Sequence, residues 1–210
     1  MVVNKNGRIQ KETEMLEANQ ERKVKGTLVI ALAMIVNDRK KMDWKSQTTL
    51  TDKDLALIKD RILPSGWYDI EFYDRLGSAV FKVAGNNRPE GAYQFGDGIM
   101  WNILSKTYAN SLVRNSPGQG IKTFAVLFKG NFFNTASAEY QDSETGGVFK
   151  ISDPLGIPTQ ESFVPMIKAL LSRIARENGA KGVRVDCEQE SKLGSEKLTE
   201  VNYKITWSKK

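Results

Sequence analysis

Apolar positions recur at helical spacing through the first two-thirds of the chain and alternate in the last third. The apolar segment Leu28 to Val36 follows Gly26 and Thr27, and its continuity fits either helix or strand. Its Ala31-Leu32-Ala33-Met34 content and its length through Lys41 favour a buried helix. Thr51 is a good N-cap for a second helix, with Asp52 and Asp54 in the first turn and Leu55, Ile58 and Ile62 on one face. Pro64, Ser65 and Gly66 stop it. Asp69 caps a third helix carrying Phe72, Tyr73, Leu76, Val80 and Phe81, and Gly85-Asn86-Asn87 ends that one. Pro89 suits the first turn of a fourth, with Ala92, Phe95, Ile99, Met100, Ile103 and Leu104. A fifth follows Pro117 and Gly118 and uses Ile121, Phe124, Ala125, Leu127 and Phe128.

After Asn134 the period changes. Ala136, Ala138 and Tyr140 alternate with Ser137 and Glu139, Ser143 to Gly147 turns, and Val148 to Ile151 returns, which is a hairpin signal. Glu161 to Asn178 reads as a long helix with Phe163, Met166, Ile167, Leu170, Leu171 and Ile174 in one stripe, stopped by Gly179. Pro165 requires that helix to start near Ser162. Val183, Val185 and Cys187 alternate with Arg184, Asp186 and Glu188, and Val201, Tyr203, Ile205 and Trp207 alternate with polar residues. Ser191 to Thr199 reads as a polar loop between them. The expected class is therefore α+β: an N-terminal helical half, then an antiparallel sheet backed by a long helix. Residues 24–210 read as a single α+β domain, and residues 1–23 as a polar arm or marginal helix with a thin stripe of Ile9, Met15 and Leu16.

Composition narrows the chemistry. There is no histidine among the 210 residues, which excludes Ser-His-Asp and Cys-His catalysis, histidine-ligated zinc and histidine-ligated haem. A single cysteine, Cys187, excludes an internal disulfide and a cysteine-cluster metal site. The polar N-terminus predicts no signal peptide, and the longest apolar run, Gly26 to Val36, is short of the about 20 residues a membrane span needs. A cytoplasmic protein without a transmembrane segment is the expectation. Net charge is +6, but the densest basic run is only Arg39-Lys40-Lys41. Cations elsewhere alternate with acids, so no phosphate-tracking stripe forms and no specific nucleic-acid binding is expected.

No motif in the chain requires a chemical role. Gly118-Gln119-Gly120 lacks the rest of a phosphate-binding loop, and Gly96-Asp97-Gly98 fits a weak point inside a helix as well as a ligand turn. Asp186, Glu188 and Glu190 share a strand face with Arg184, which suits an exposed face better than a cation site. Cys187 falls on the apolar side of its strand and reads as a small hydrophobe. Neither catalytic nor metal nor cofactor residues are assigned. Trp67 and Tyr68 lie between helices, where they plug the core or line a cavity. With Phe95 and Trp101 they are the expected wall of any ligand pocket, and Tyr68 or Tyr93 would supply its polar groups.

The run Val24-Lys25-Gly26-Thr27, the segment Ile62 to Asp69 leading into Phe72 and Leu76, and the block from Phe163 through Gly179 to Val185 and on to Tyr203-Lys204-Ile205-Thr206-Trp207 occur in a distinctive order. That order resembles the superfamily of haem-NO-binding-like domains, 4-vinyl-reductase-type domains and TRAPP small subunits, nearest to uncharacterised bacterial paralogues. The resemblance implies an α+β fold, an interior that holds a small apolar or haem-like ligand in relatives, and a tendency to form homodimers. It carries over neither the axial histidine of the haem branch nor the cysteine cluster of the reductase-type branch, because this chain has neither. The resulting reading is a non-enzymatic ligand-binding or protein-interaction module in cytoplasmic signalling or scaffolding, with a small apolar ligand or a protein partner. The alternatives are an enzyme on a small hydrophobic substrate and a nucleic-acid-binding protein.

Overall fold

The computed structural model describes residues 21–113, 115–158, 160–193 and 197–208. Of the expected polar arm or marginal helix over 1–23, residues 1–20 lie outside them, and Lys23 opens a strand. The chain begins with strand β1 (Lys23–Lys25) and runs into helices α1 (Gly26–Asp38), α2 (Trp44–Gln47) and α3 (Asp52–Lys59). Strand β2 (Trp67–Asp69) then pairs antiparallel with β1 before helix α4 (Ile70–Ala84). Helices α5 (Pro89–Phe95) and α6 (Trp101–Leu112) are joined by a π-helical turn, Gly96–Met100. Helix α7 (Pro117–Leu127) runs into a second wide segment, Phe128–Phe132. Strands β3 (Ser137–Ser143) and β4 (Gly146–Ser152), helix α8 (Gln160–Glu177) and strands β5 (Lys181–Leu193) and β6 (Lys197–Ser208) complete the order. The expected α+β class is the observed one.

Local chemistry fixes the helix ends. Thr51 forms a capping box with Asp54, each side chain accepting the other's backbone N–H. Asp69 accepts from the N–H groups of Glu71 and Phe72 at the start of α4. Two consecutive left-handed residues, Asn86 and Asn87, fold the chain back from α4 to α5. Asparagine tolerates that conformation better than most side chains. Helix α8 starts at Gln160, so Pro165 lies inside it rather than in the first turn as its fixed φ suggests. The missing N–H leaves the carbonyl of Glu161 without its helical donor, and Glu161 is exposed, where water can replace that donor.

The four strands pair antiparallel in the order β3-β4-β6-β5. Alternation decides their faces: Phe149, Ile151, Val185, Val201, Tyr203 and Ile205 point inward and are buried. The outer face is polar, tied by Lys150–Glu200 and Lys204–Glu188 ion pairs. Helix α8 lies between this sheet and the helical half, burying Phe163, Leu170, Leu171 and Ile174.

Two strand expectations are corrected. The Ser191–Thr199 loop is shorter, because β5 extends to Leu193 and β6 starts at Lys197, and buried Leu198 anchors the ladder there. Its carbonyl accepts from Ile157 N–H at 2.6 Å. Cys187, expected in the packed face, is exposed. It does stand opposite buried Tyr203, but β5 is an edge strand and slips register between Cys187 and Gln189, which opens that end of the ladder to solvent.

Candidate functional site

The helical half has a dense interior and an open groove beside it. In the interior Phe124 is stacked on Phe149 at 5.7 Å and edge-on to Phe128 at 5.3 Å. Phe128 contacts Phe132 at 5.7 Å, and Tyr73 meets Phe133 at 6.1 Å. Leu28, Met100, Leu104 and Phe163 close the cluster, which leaves only about 10 Å³ of free space. Burial pushes the Tyr73 phenol far above its ordinary pKa, so it stays protonated.

The groove has a volume of about 340 Å³ and is bounded by α1, α4, α5 and the first turns of α8. Leu32, Ile35, Val80, Phe81, Phe95 and Met166 give it apolar walls. Its space arises from small residues: Gly77 and Ala84 stand a heptad apart on α4, and Gly91 and Ala92 open α5. Gly91 sits so near Gly85 that a Cβ there would come within 2.4 Å of the Gly85 Cα, so α5 packs directly against the end of α4. Tyr73 and Met166 are shared between the groove and the interior and separate the two. The polar lining is Asp38, Arg39, Gln94 and Ser162.

Of the five residues expected to wall a pocket, Phe95 lines this groove. Trp101 is buried in the core, and Tyr93 is half-buried outside the groove lining. Trp67 and Tyr68 belong to the β1–β2 ladder, which the sequence reading lacked. Trp67 is exposed, with Lys25 Nζ 4.4 Å above its ring. The Tyr68 hydroxyl accepts from Leu63 N–H at 2.7 Å and braces the turn before β2. Gly26 is required beside it, because a Cβ there would lie 2.0 Å from the Leu63 carbonyl oxygen. Helix α4 carries Val80 and Phe81 into the groove wall, and Gly77 and Ala84 beside them are too small to fill it.

The remaining polar constellations are structural. Gly96-Asp97-Gly98 forms the π-helical turn, where Gly96 admits the α8 backbone: a Cβ would be 2.5 Å from the Met166 carbonyl. Asp97 is paired with Arg173 and Arg176 of α8. Asp54, almost wholly buried, receives Arg75 at 2.8 and 2.9 Å. Burial raises its carboxyl, but the Arg75 and Thr51 hydrogen bonds outweigh that and hold it below the usual carboxylate range. Buried Asp153 is held by Arg22 at 2.7 Å, which ties the start of β1 to the end of β4. Among the described residues no cluster of three or more metal-ligating side chains forms, and no helix is long and apolar enough to cross a membrane.

The fold is that of H-NOX (haem-NO/oxygen-binding) domains. An oxygen-binding H-NOX domain related to soluble guanylate cyclases, in its oxygen complex, matches at a TM-score of 0.58 and 12% identity, covering 88% of this chain and 95% of that one. A point variant of the T. tengcongensis H-NOX domain matches at 0.60 and 11% identity, covering 88% and 98%. A third structure, from work on H-NOX activation, matches at 0.60 and 12% identity over 88% and 97%. No protein-family model matches the sequence, and no curated protein does.

Proposed function

We propose that this chain is a non-enzymatic ligand-binding module that uses the H-NOX fold without haem, in cytoplasmic signalling or scaffolding. Its ligand site is the apolar groove beside the interior, and its ligand is a small apolar molecule. The observation that carries this reading is the contrast between an interior filled by phenylalanine rings and an adjoining cleft of about 340 Å³. That volume lies within the range of roughly 300–1,000 Å³ typical of small-molecule sites, and the lining is apolar with a few polar groups, as such sites are.

Haem, the group the fold implies, does not fit these residues. The chain has no histidine to ligate iron, and Cys187 is on the exposed edge strand. Tyr73, shared by groove and interior, stays a neutral phenol, a weak iron ligand, and the interior behind it has only about 10 Å³ of free space. The likeness to a domain related to soluble guanylate cyclases supports a signalling role.

Titration with Nile red, an uncharged apolar dye, tests the proposal. Saturable fluorescence enhancement is expected for the wild type and its loss for Ala84→Trp, which fills the groove from α4, with the circular dichroism spectrum preserved. Absence of wild-type binding, or equal binding by the variant, would overturn it.

A further inference from the structure

The geometry points to the occupant of the groove as a free amphiphile with an apolar tail and a single carboxylate head, an inference that rests on reading the groove as a ligand site. Arg39 lines the groove at the end of α1 and has no ion pair among the described residues. Arg22 and Arg75, by contrast, are each engaged by a buried carboxylate. Arg39 is exposed at the mouth of the apolar walls, and its guanidinium fork matches a carboxylate in bidentate geometry. Lys40 and Lys41 follow Arg39 in the chain and are exposed, making this the densest basic run in the sequence. Ser162, in the first turn of the 18-residue helix α8, lines the same groove, and the partial positive charge of that helix start adds to the field.

Asp38 is the opposing group. It also lines the groove and has no ion pair among the described residues. Its negative charge stands beside the Arg39 guanidinium and the start of α8, which leaves a field that accepts one carboxylate at most and repels a second negative charge on the same head. The apolar walls and the volume of about 340 Å³ suit a single chain of medium length better than a fused ring system or a two-tailed lipid.

Displacement of Nile red by decanoate and by decan-1-ol at neutral pH separates the possibilities, using the wild type, Arg39→Gln and Asp38→Asn. The expected result is that Arg39→Gln weakens decanoate by about tenfold or more, Asp38→Asn strengthens it, and decan-1-ol changes by no more than about twofold in either. Equal displacement by both probes with no effect of Arg39→Gln overturns the carboxylate head while leaving the groove in place. Loss of decanoate and decan-1-ol together in Arg39→Gln also overturns it, since the residue would then act on the groove's shape. Failure of either probe and of Nile red to bind at all overturns the groove reading itself. Co-sedimentation with phosphatidylglycerol vesicles that decanoate does not compete would assign the cations to a membrane surface instead and overturn the proposal.

Discussion

Phe124→Ala tests whether the interior is the solid block that the ring geometry describes. Phe124 is 1% exposed and touches Phe128, Phe132 and Phe149 with centroids at 5.3, 5.9 and 5.7 Å. Truncation removes its buried area and leaves a void that the neighbouring rings, already in edge and stacked contact, cannot close without losing one another. The cost for a phenylalanine in such a site is about 3–5 kcal/mol. Against a total stability of about 5–15 kcal/mol, that is a large fraction. In urea, with a slope near 2–3 kcal/mol per molar for a domain of this size, the midpoint falls by about 1–2.5 M. Val126→Ala on the same helix is the control: its side chain is 66% exposed, and the change should stay within about 0.5 kcal/mol. Equal midpoints for Phe124→Ala and Val126→Ala would refute the packed interior.

Other outcomes follow from the same physics. Leu170→Ala or Ile174→Ala, each buried on α8 between sheet and helices, should cost about 2–5 kcal/mol by urea unfolding. Asp54 has a depressed folded pKa, so its pairing with Arg75 contributes fully above the unfolded value near 3.8 and is lost as pH falls through the folded value. The stability gap between wild type and Asp54→Asn should therefore narrow as pH falls below about 4, and a gap that widens there would contradict the pairing. Haemin titration should give no stoichiometric Soret shift.

The chain's hydrophobic period revealed the helices and the sheet because those elements are held by burial, and burial leaves a period. Thr51, Asp69 and Gly179 mark helix ends through short-range hydrogen bonding or backbone conformation, which is also written locally. The β1–β2 ladder was not legible. Each strand is three residues long, and Trp67 pairs with Lys25 more than forty positions earlier, so neither alternation nor spacing betrays it. That ladder, rather than a helix, is what carries Trp67 and Tyr68. Pro165 misled about the start of α8 because an exposed first turn can lose one backbone bond to water. The groove was legible only in part: Phe95 was visible as an aromatic on a helix face, but the space around it is made by Gly77, Ala84 and Gly91. Small residues announce where bulk is missing only once their neighbours are known.

The proposed ligand site is the groove and not the interior. Amide chemical-shift mapping during a decanoate titration of the isotope-labelled protein separates the two. The predicted result is that shifts cluster at Arg39, Val80, Phe81, Gln94 and Phe95, while Phe124, Phe128 and Phe132 stay fixed. The largest shifts falling on those three phenylalanines, with the groove amides unmoved, would contradict it.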